Sequence, residues 1–342
     1  MKKIIALFLT LAMVFGLVAC AAPAAAPAAA PAAAPAAEAA PAAEAAPAEA
    51  AAPAAEEVKV AFITQSLSNA SQAYAWTQFQ KYAPDYGFSV YLFEEDYDAQ
   101  NGAAAIGTCI AQGFKAICIN PTDPSALIPS IMEARDAGII VGLYSSELPE
   151  GQTANRDFMC GTDDVQCGEV AAQELMKAFP DGCNVVEVGG QSGHSAQMKR
   201  HDGFFKTIEG SNITVLDSKD CENWASDDAM AIMEDFIVKY GSDIQAVYCH
   251  WDVGATGCIE ALKNAGMNDV YVIGVDGCSV GYDQVNEGTQ ALCIGQSFSQ
   301  MKQDAFASIT KLLNGEKCDD VTWTALDVVT KDTIANFPYP EW

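Results

Sequence analysis

From Val58 onward the chain alternates short apolar runs with segments of helical length, and this alternation limits the fold more than any other feature. Val58–Ile63, Phe88–Phe93, Ala116–Ile119 and Ile139–Leu143 read as strands. Between them Asn69–Tyr86, Gly102–Gln112 and Ser125–Ala137 read as helices, with Gly87 and Gly138 as natural stops. Strands alternating with helices of ten or more residues imply βαβ units and a parallel sheet. The pattern then restarts. Asp163–Phe179 reads as a helix with Thr162 as N-cap, followed by Asn184–Val188, Ser195–Ile208, Ile213–Leu216, Ala225–Tyr240, Ile244–Tyr248, Asp252–Ala265 and Val270–Val275. Two successive runs of this kind predict two doubly wound α/β lobes in place of one very large sheet. A last helix, Gln300–Leu313, and a strand-like run, Val321–Val329, complete the pattern.

The N-terminal region belongs to a different regime. Lys2 and Lys3 precede an apolar run, Ile4–Val18, that is short for a membrane span and has the flanks of a secretory signal peptide. The run ends Leu17-Val18-Ala19-Cys20, which resembles a bacterial lipobox, so Cys20 is the expected lipidation site. Residues 21–57 are nearly all Ala and Pro with a few Glu. Regular Pro blocks helix propagation, and nothing larger than Ala is available for a core. The expectation is a tether, partly polyproline II, reaching on the order of 115 Å at about 3.1 Å per residue.

Charge and cysteine content exclude whole classes of function. With 45 acidic against 18 basic residues the net charge is -27, the opposite of a nucleic-acid footprint. Eleven cysteines remain beyond Cys20, none spaced C-x-x-C, and there are three His, so a zinc site is not expected. Cys118, Cys249 and Cys293 sit in apolar runs, where Cys behaves as a small hydrophobe. Mostly buried free thiols are expected, and the sequence calls for no cofactor or metal. No Walker A loop is present, and Gly189-Gly190-Gln191-Ser192-Gly193 is a weak phosphate signal by itself. Ser192, His194, Ser195 and Asp202 lie close together, but a nucleophile elbow fails because His stands at 194, and His194 is expected on a surface loop.

Five motifs then fall in order: Ile119-Asn120-Pro121-Thr122-Asp123, Gly161-Thr162-Asp163-Asp164, Gly193-His194-Ser195-Ala196 with Arg200-His201-Asp202-Gly203-Phe204, Ile244-Gln245-Ala246-Val247, and Val272-Ile273-Gly274-Val275-Asp276-Gly277. Over residues 58–333 this resembles the ribose-binding-protein-like branch of type I periplasmic binding proteins. The resemblance implies two Rossmann-like lobes, a three-crossover hinge and a sugar held between them. It implies a first lobe of residues 58–161 plus 297–320, a second of 162–296 plus 321–334, and a tail of 335–342.

It also implies ligand contacts at Asn69, Arg200, Trp224, Asp276 and Gln296, with Trp251, Tyr144 and Gln65 as further candidates. The chemistry is coherent. Asp276 only accepts, Arg200 only donates, the amides do both, and an indole covers the C–H face of a sugar ring. The bland alternatives are core packing for the indoles, a turn cap for Asp276, and a surface pairing of Arg200 with Asp202 or Glu209. Both charged groups are expected to face a cleft that is wet when open, so that neither matters much to stability.

This chain also departs from the family pattern. Ser71 and Gln72 stand where many members carry two aromatics. Tyr144-Ser145 stands for an Asp-Arg pair, and Trp251 for an Asn. Ribose itself is therefore in question, and another pentose or hexose, a glycoside, a polyol or a less polar ligand fits as well. The implied function is a monomeric, membrane-anchored, extracytoplasmic solute-binding lipoprotein, not an enzyme, that delivers its ligand to the permease of an ABC importer. The alternative is a sensing lipoprotein that presents the bound solute to a membrane receptor.

Overall fold

The computed structural model describes residues 57–342. The expected signal segment, Cys20 and nearly all of the expected tether lie outside the described residues. Among the described residues no helix is long and apolar enough to cross a membrane.

The first lobe is a sheet of six strands flanked by helices. Its order is β11-β5-β4-β3-β1-β2, from β1 (Val58–Thr64), β2 (Phe88–Glu94), β3 (Ala116–Asn120), β4 (Ile140–Tyr144), β5 (Phe158–Thr162) and β11 (Val321–Thr324). All its pairings are parallel. Helices α1 (Ala70–Tyr82), α2 (Ala99–Ala111), α3 (Pro124–Asp136) and α9 (Phe298–Leu313) cover the two faces. Phe62, Phe79, Phe158 and Phe306 pack on one side; Ile63, Ile106, Ile117 and Ile131 pack on the other. Strands buried on both faces need apolar residues at every position, which is why β3 reads as a continuous run without alternation.

The second lobe repeats the plan, in the order β12-β10-β9-β8-β6-β7. Its strands are β6 (Asn184–Gln191), β7 (Thr214–Cys221), β8 (Ala246–Cys249), β9 (Tyr271–Asp276), β10 (Leu292–Gly295) and β12 (Asp327–Thr330). Only β12 runs antiparallel. Helices α4 (Asp164–Ala178), α5 (Ser195–Ile208), α6 (Ser226–Tyr240), α7 (Asp252–Asn264) and α8 (Ser279–Glu287) surround it. Asn69, Asp123, Asp163 and Ser297 cap their helices by accepting backbone N–H bonds, satisfying donors that the first turn leaves orphaned.

The chain passes between lobes after β5, after β10 and between β11 and β12. Residues 321–324, expected in the second lobe, instead pair with β5 in the first. The run Val321–Val329 is two strands in two sheets, broken at Ala325-Leu326. Asp163, not Thr162, caps α4, because its carboxylate accepts from Val165 and Gln166 while Thr162 completes β5. The expected tail, residues 335–342, is docked on the lobes. Tyr339 donates to Asp283 at 3.1 Å, and Trp342 stacks on Tyr74 with centroids 5.3 Å apart. Ten of the eleven cysteines in the described residues are buried and all are free; burial pushes thiols such as Cys118 and Cys167 well above their ordinary pKa.

Candidate ligand-binding cleft

The carboxyl ends of both sheets face one cleft, the place where open α/β sheets present their loops. The cavity at its centre is small, about 30 Å³, with the lobes close together around it. Seven of the eight expected ligand residues line it: Gln65, Asn69, Arg200, Trp224, Trp251, Asp276 and Gln296.

On the first lobe, Asn69 spends its Oδ1 on the Ser71 N–H at 2.9 Å and the Ser71 hydroxyl at 2.8 Å. Its amide NH2 is the group left to offer a ligand. Gln65 is buried at the end of β1, with Nε2 3.4 Å from the Pro121 carbonyl.

On the second lobe, Arg200 rises from α5 and is 3% exposed. Its Nε donates to Asp164 Oδ1 at 2.9 Å, and Nη1 donates to the His250 carbonyl. Burial works against the guanidinium charge, but Asp164 outweighs it and keeps Arg200 ionised. Behind it, buried Glu187 accepts from His201 at 2.8 Å and His250 at 2.9 Å. Burial raises the Glu187 carboxyl, yet these bonds hold it down at about 2. Arg200 is therefore clamped in place, and the alternative of a surface pairing with Asp202 or Glu209 gives way to a buried pair with Asp164. The expectation of a wet, energetically neutral position fails with it.

Asp276 ends β9 with φ 133, a backbone state that L residues rarely adopt. Gly277, at φ 81, turns the chain away; a Cβ there would lie 2.6 Å from the Gly295 backbone. Buried Asp252 accepts the Gly277 N–H at 2.9 Å and the Gln290 amide at 2.8 Å, so it fixes the turn that carries Asp276. Burial, then the neighbouring Asp252, pushes the Asp276 carboxyl well above its ordinary value, with Arg200 opposing.

Two indoles form the aromatic wall. Trp224 meets Trp251 edge to face, 5.4 Å between centroids at 89°, and the Arg200 guanidinium carbon lies 5.9 Å from the Trp224 ring. Gly190 permits this: a Cβ there would lie 2.1 Å from the indole. Trp251 is 4% exposed, and its Nε1 has no acceptor among the described residues.

Tyr144 does not line the cavity. As the last residue of β4 it points into the core, fully buried, with its ring 5.0 Å from Phe62. Its hydroxyl donates to Gln72 Oε1 at 2.6 Å. Lys302 Nζ sits 3.4 Å from the Tyr144 ring centroid, its pKa lowered by burial to about 7. The next residue, Ser145 at φ 61, is the one that faces the cleft.

The cavity also includes Asn120, His194, Ser71, Gln72 and Phe298, which the sequence reading did not propose as ligand contacts. Asn120 ends β3 inside the Asn-Pro motif already singled out. His194, expected on the surface, is 3% exposed and caps α5 through Nδ1, which accepts from the Ala196 N–H at 3.2 Å. Burial, then Arg200, lowers its pKa to about 3, so it is neutral. Ser195 bonds across the cleft to the Ser146 hydroxyl at 3.0 Å and the Glu147 N–H at 2.8 Å, so its hydroxyl serves lobe contact.

Residues 60–317 match the family described as periplasmic binding protein domain. The chain belongs to that family. Similar members include the ribose import binding protein of Escherichia coli (strain K12), 27% identical over 258 residues, which cover 75% of this chain and 86% of that one. The xylitol-binding protein of Mycolicibacterium smegmatis (strain ATCC 700084 / mc(2)155) is 27% identical over 241 residues, 69% of this chain and 67% of its own. Among solved structures, a galactofuranose binding protein superposes with a TM-score of 0.78 at 24% identity, over 82% of this chain and 96% of that one. The two-lobe α/β fold of the family is thus the fold found here.

Proposed function

We propose that this protein is an extracytoplasmic solute-binding lipoprotein. It captures a small carbohydrate or polyol between its lobes as a monomer, leaves it chemically unchanged, and hands it to the permease of an ABC importer. One observation carries the ligand class. Donor-only Arg200 and acceptor Asp276 enter the same small cavity beside the amides of Asn69 and Gln296 and two indoles. Alternating donors and acceptors suit a ring of hydroxyls, and aromatic faces suit its C–H surface. The relatives named for ribose and xylitol agree with that class.

A thermal-shift screen of residues 57–342 against ribose, xylose, arabinose, galactose, xylitol and myo-inositol tests the reading. A ligand at a hundredfold excess over its dissociation constant adds about 2.7 kcal/mol to the folded state. At least one of these should raise Tm and be recovered intact. No shift with any of them, or a chemically altered ligand, overturns the proposal.

A further inference from the structure

A second cavity of about 270 Å³ opens beside the first and shares Asn69, Ser71, Trp224, Trp251 and Asp276 with it. Its remaining wall has a different chemistry. Ala70, Ala225, Val253 and Trp342 join Trp224 and Trp251, so three indoles and three small apolar side chains form half of its lining; Ser68, Ser226 and Asp227 complete it. Arg200, Gln296 and Asn120 line only the first cavity, while Asn69 and Asp276 reach both.

Trp342 is fixed there by both lobes. Its ring stacks on Tyr74 of α1 at 8° between planes and meets Phe298 of α9 edge-on at 5.3 Å. Its carbonyl oxygen accepts from the Ser279 N–H of α8 at 2.5 Å. Glu341 beside it pairs with Lys81 at 3.7 Å. The third indole thus completes the wall only when the lobes are together.

We propose that this second cavity is an aglycone subsite: the ligand is a glycoside, with its sugar in the inner cavity and a neutral apolar or aromatic aglycone among Trp224, Trp251 and Trp342. This rests on the carbohydrate reading above and deepens it. Water covers such a surface only at a free-energy cost, whereas an aromatic ring joined to the sugar removes it from water. Trp251 lines both cavities, and its buried Nε1 has no acceptor among the described residues, which leaves that donor unspent beside the proposed sugar–aglycone link. Asp227 at the edge disfavours an anionic aglycone.

Calorimetric titration tests this with ribose, xylose, arabinose, galactose and glucose, each beside its para-nitrophenyl glycoside, plus the disaccharides xylobiose and lactose. At least one glycoside should bind about tenfold or more tighter than its free sugar. Ala225→Phe, which fills the second cavity, and Trp342→Ala, which opens its wall, should erase that gain and leave free-sugar affinity within about threefold. If free sugars bind and no glycoside binds more tightly, the subsite falls and the carbohydrate reading stands. If a disaccharide gains and no aryl glycoside does, the apolar assignment is wrong. If Trp342→Ala weakens free sugar as much as glycoside, Trp342 serves lobe closure and is no subsite wall. If neither free sugars nor glycosides bind, both readings fall together.

Discussion

The side-chain amide of Gln296 donates to Oδ1 of Asp276 across 2.8 Å, and the Gln296 backbone N–H donates to the Asp276 carbonyl at the same distance. Asp276 is thereby aimed and its remaining oxygen is free for a ligand, inside a site that resists its charge. Burial raises its pKa well above the ordinary 3.8. Sugar hydroxyls donating to the carboxylate should lower it again. Binding should therefore release a proton, and affinity should increase with pH, between the carboxyl's pKa in the complex and its raised value without ligand. The raised pKa also means that folding stability falls as pH climbs from 3.8 through the raised value. Titration in buffers of different ionisation enthalpy measures the proton. Asp276→Asn should remove the release, flatten the stability profile and weaken binding by roughly tenfold or more.

Arg200 and Asp164 form an ion pair whose side chains are both about 95% buried. Removing one partner strands the other charge. Arg200→Ala should lower stability by about 3–5 kcal/mol as well as abolish tight binding. Asp164→Asn added to it should restore part of that loss. Urea denaturation of the single and double variants decides this; an unchanged midpoint for Arg200→Ala would show that the pair is not intact in solution.

Gly190→Ala probes the aromatic wall from beneath. The new methyl cannot coexist with Trp224 as placed, so the indole must shift. Affinity should fall by about tenfold or more, with a change in tryptophan emission, while far-UV circular dichroism stays the same.

Tyr144→Phe separates core from site. Gln72 Oε1 keeps the Thr64 hydroxyl at 2.9 Å as a donor, so the cost to stability should be about 1 kcal/mol. Affinity should change by less than about threefold, since Tyr144 is behind the cavity lining. A large affinity loss in titration would place the hydroxyl within reach of the ligand.

The anchor is tested at Cys20. Cys20→Ser should abolish incorporation of labelled fatty acid and release the protein from membranes, because stable anchoring depends on acyl chains. Retained label in that variant would remove the lipoprotein assignment.

The strands read from sequence were those with several branched apolar residues between clear helices. Phe158–Thr162 was missed because Met159, Cys160 and Gly161 give it neither alternation nor β-branching, although every residue is buried. Ser279–Glu287 is hidden in the sequence for a similar reason, since Gly281 lies inside that helix, whereas the apolar run around Cys293 reads as strand-like and is the strand Leu292–Gly295. The strand Thr214–Cys221 was cut short at Leu216 because Asp217–Asp220 are polar. At a sheet edge such residues are the usual protection against stray pairing. Seven ligand candidates converge because six lie at a strand's carboxyl end or in the loop that follows it, while Arg200 reaches in from the second turn of α5. Tyr144 failed because pleat direction at the end of β4, invisible in the sequence, sends it inward and Ser145 outward.

The two-residue break at Ala325-Leu326 has a consequence for biogenesis. The first lobe receives its edge strand only at Val321–Thr324, and the second receives its antiparallel edge at Asp327–Thr330. Neither sheet is complete until residues 321–330 have been made, so one ten-residue stretch supplies the finishing strand of both lobes. During synthesis the two lobes therefore reach their full sheets together, and neither does so far ahead of the other.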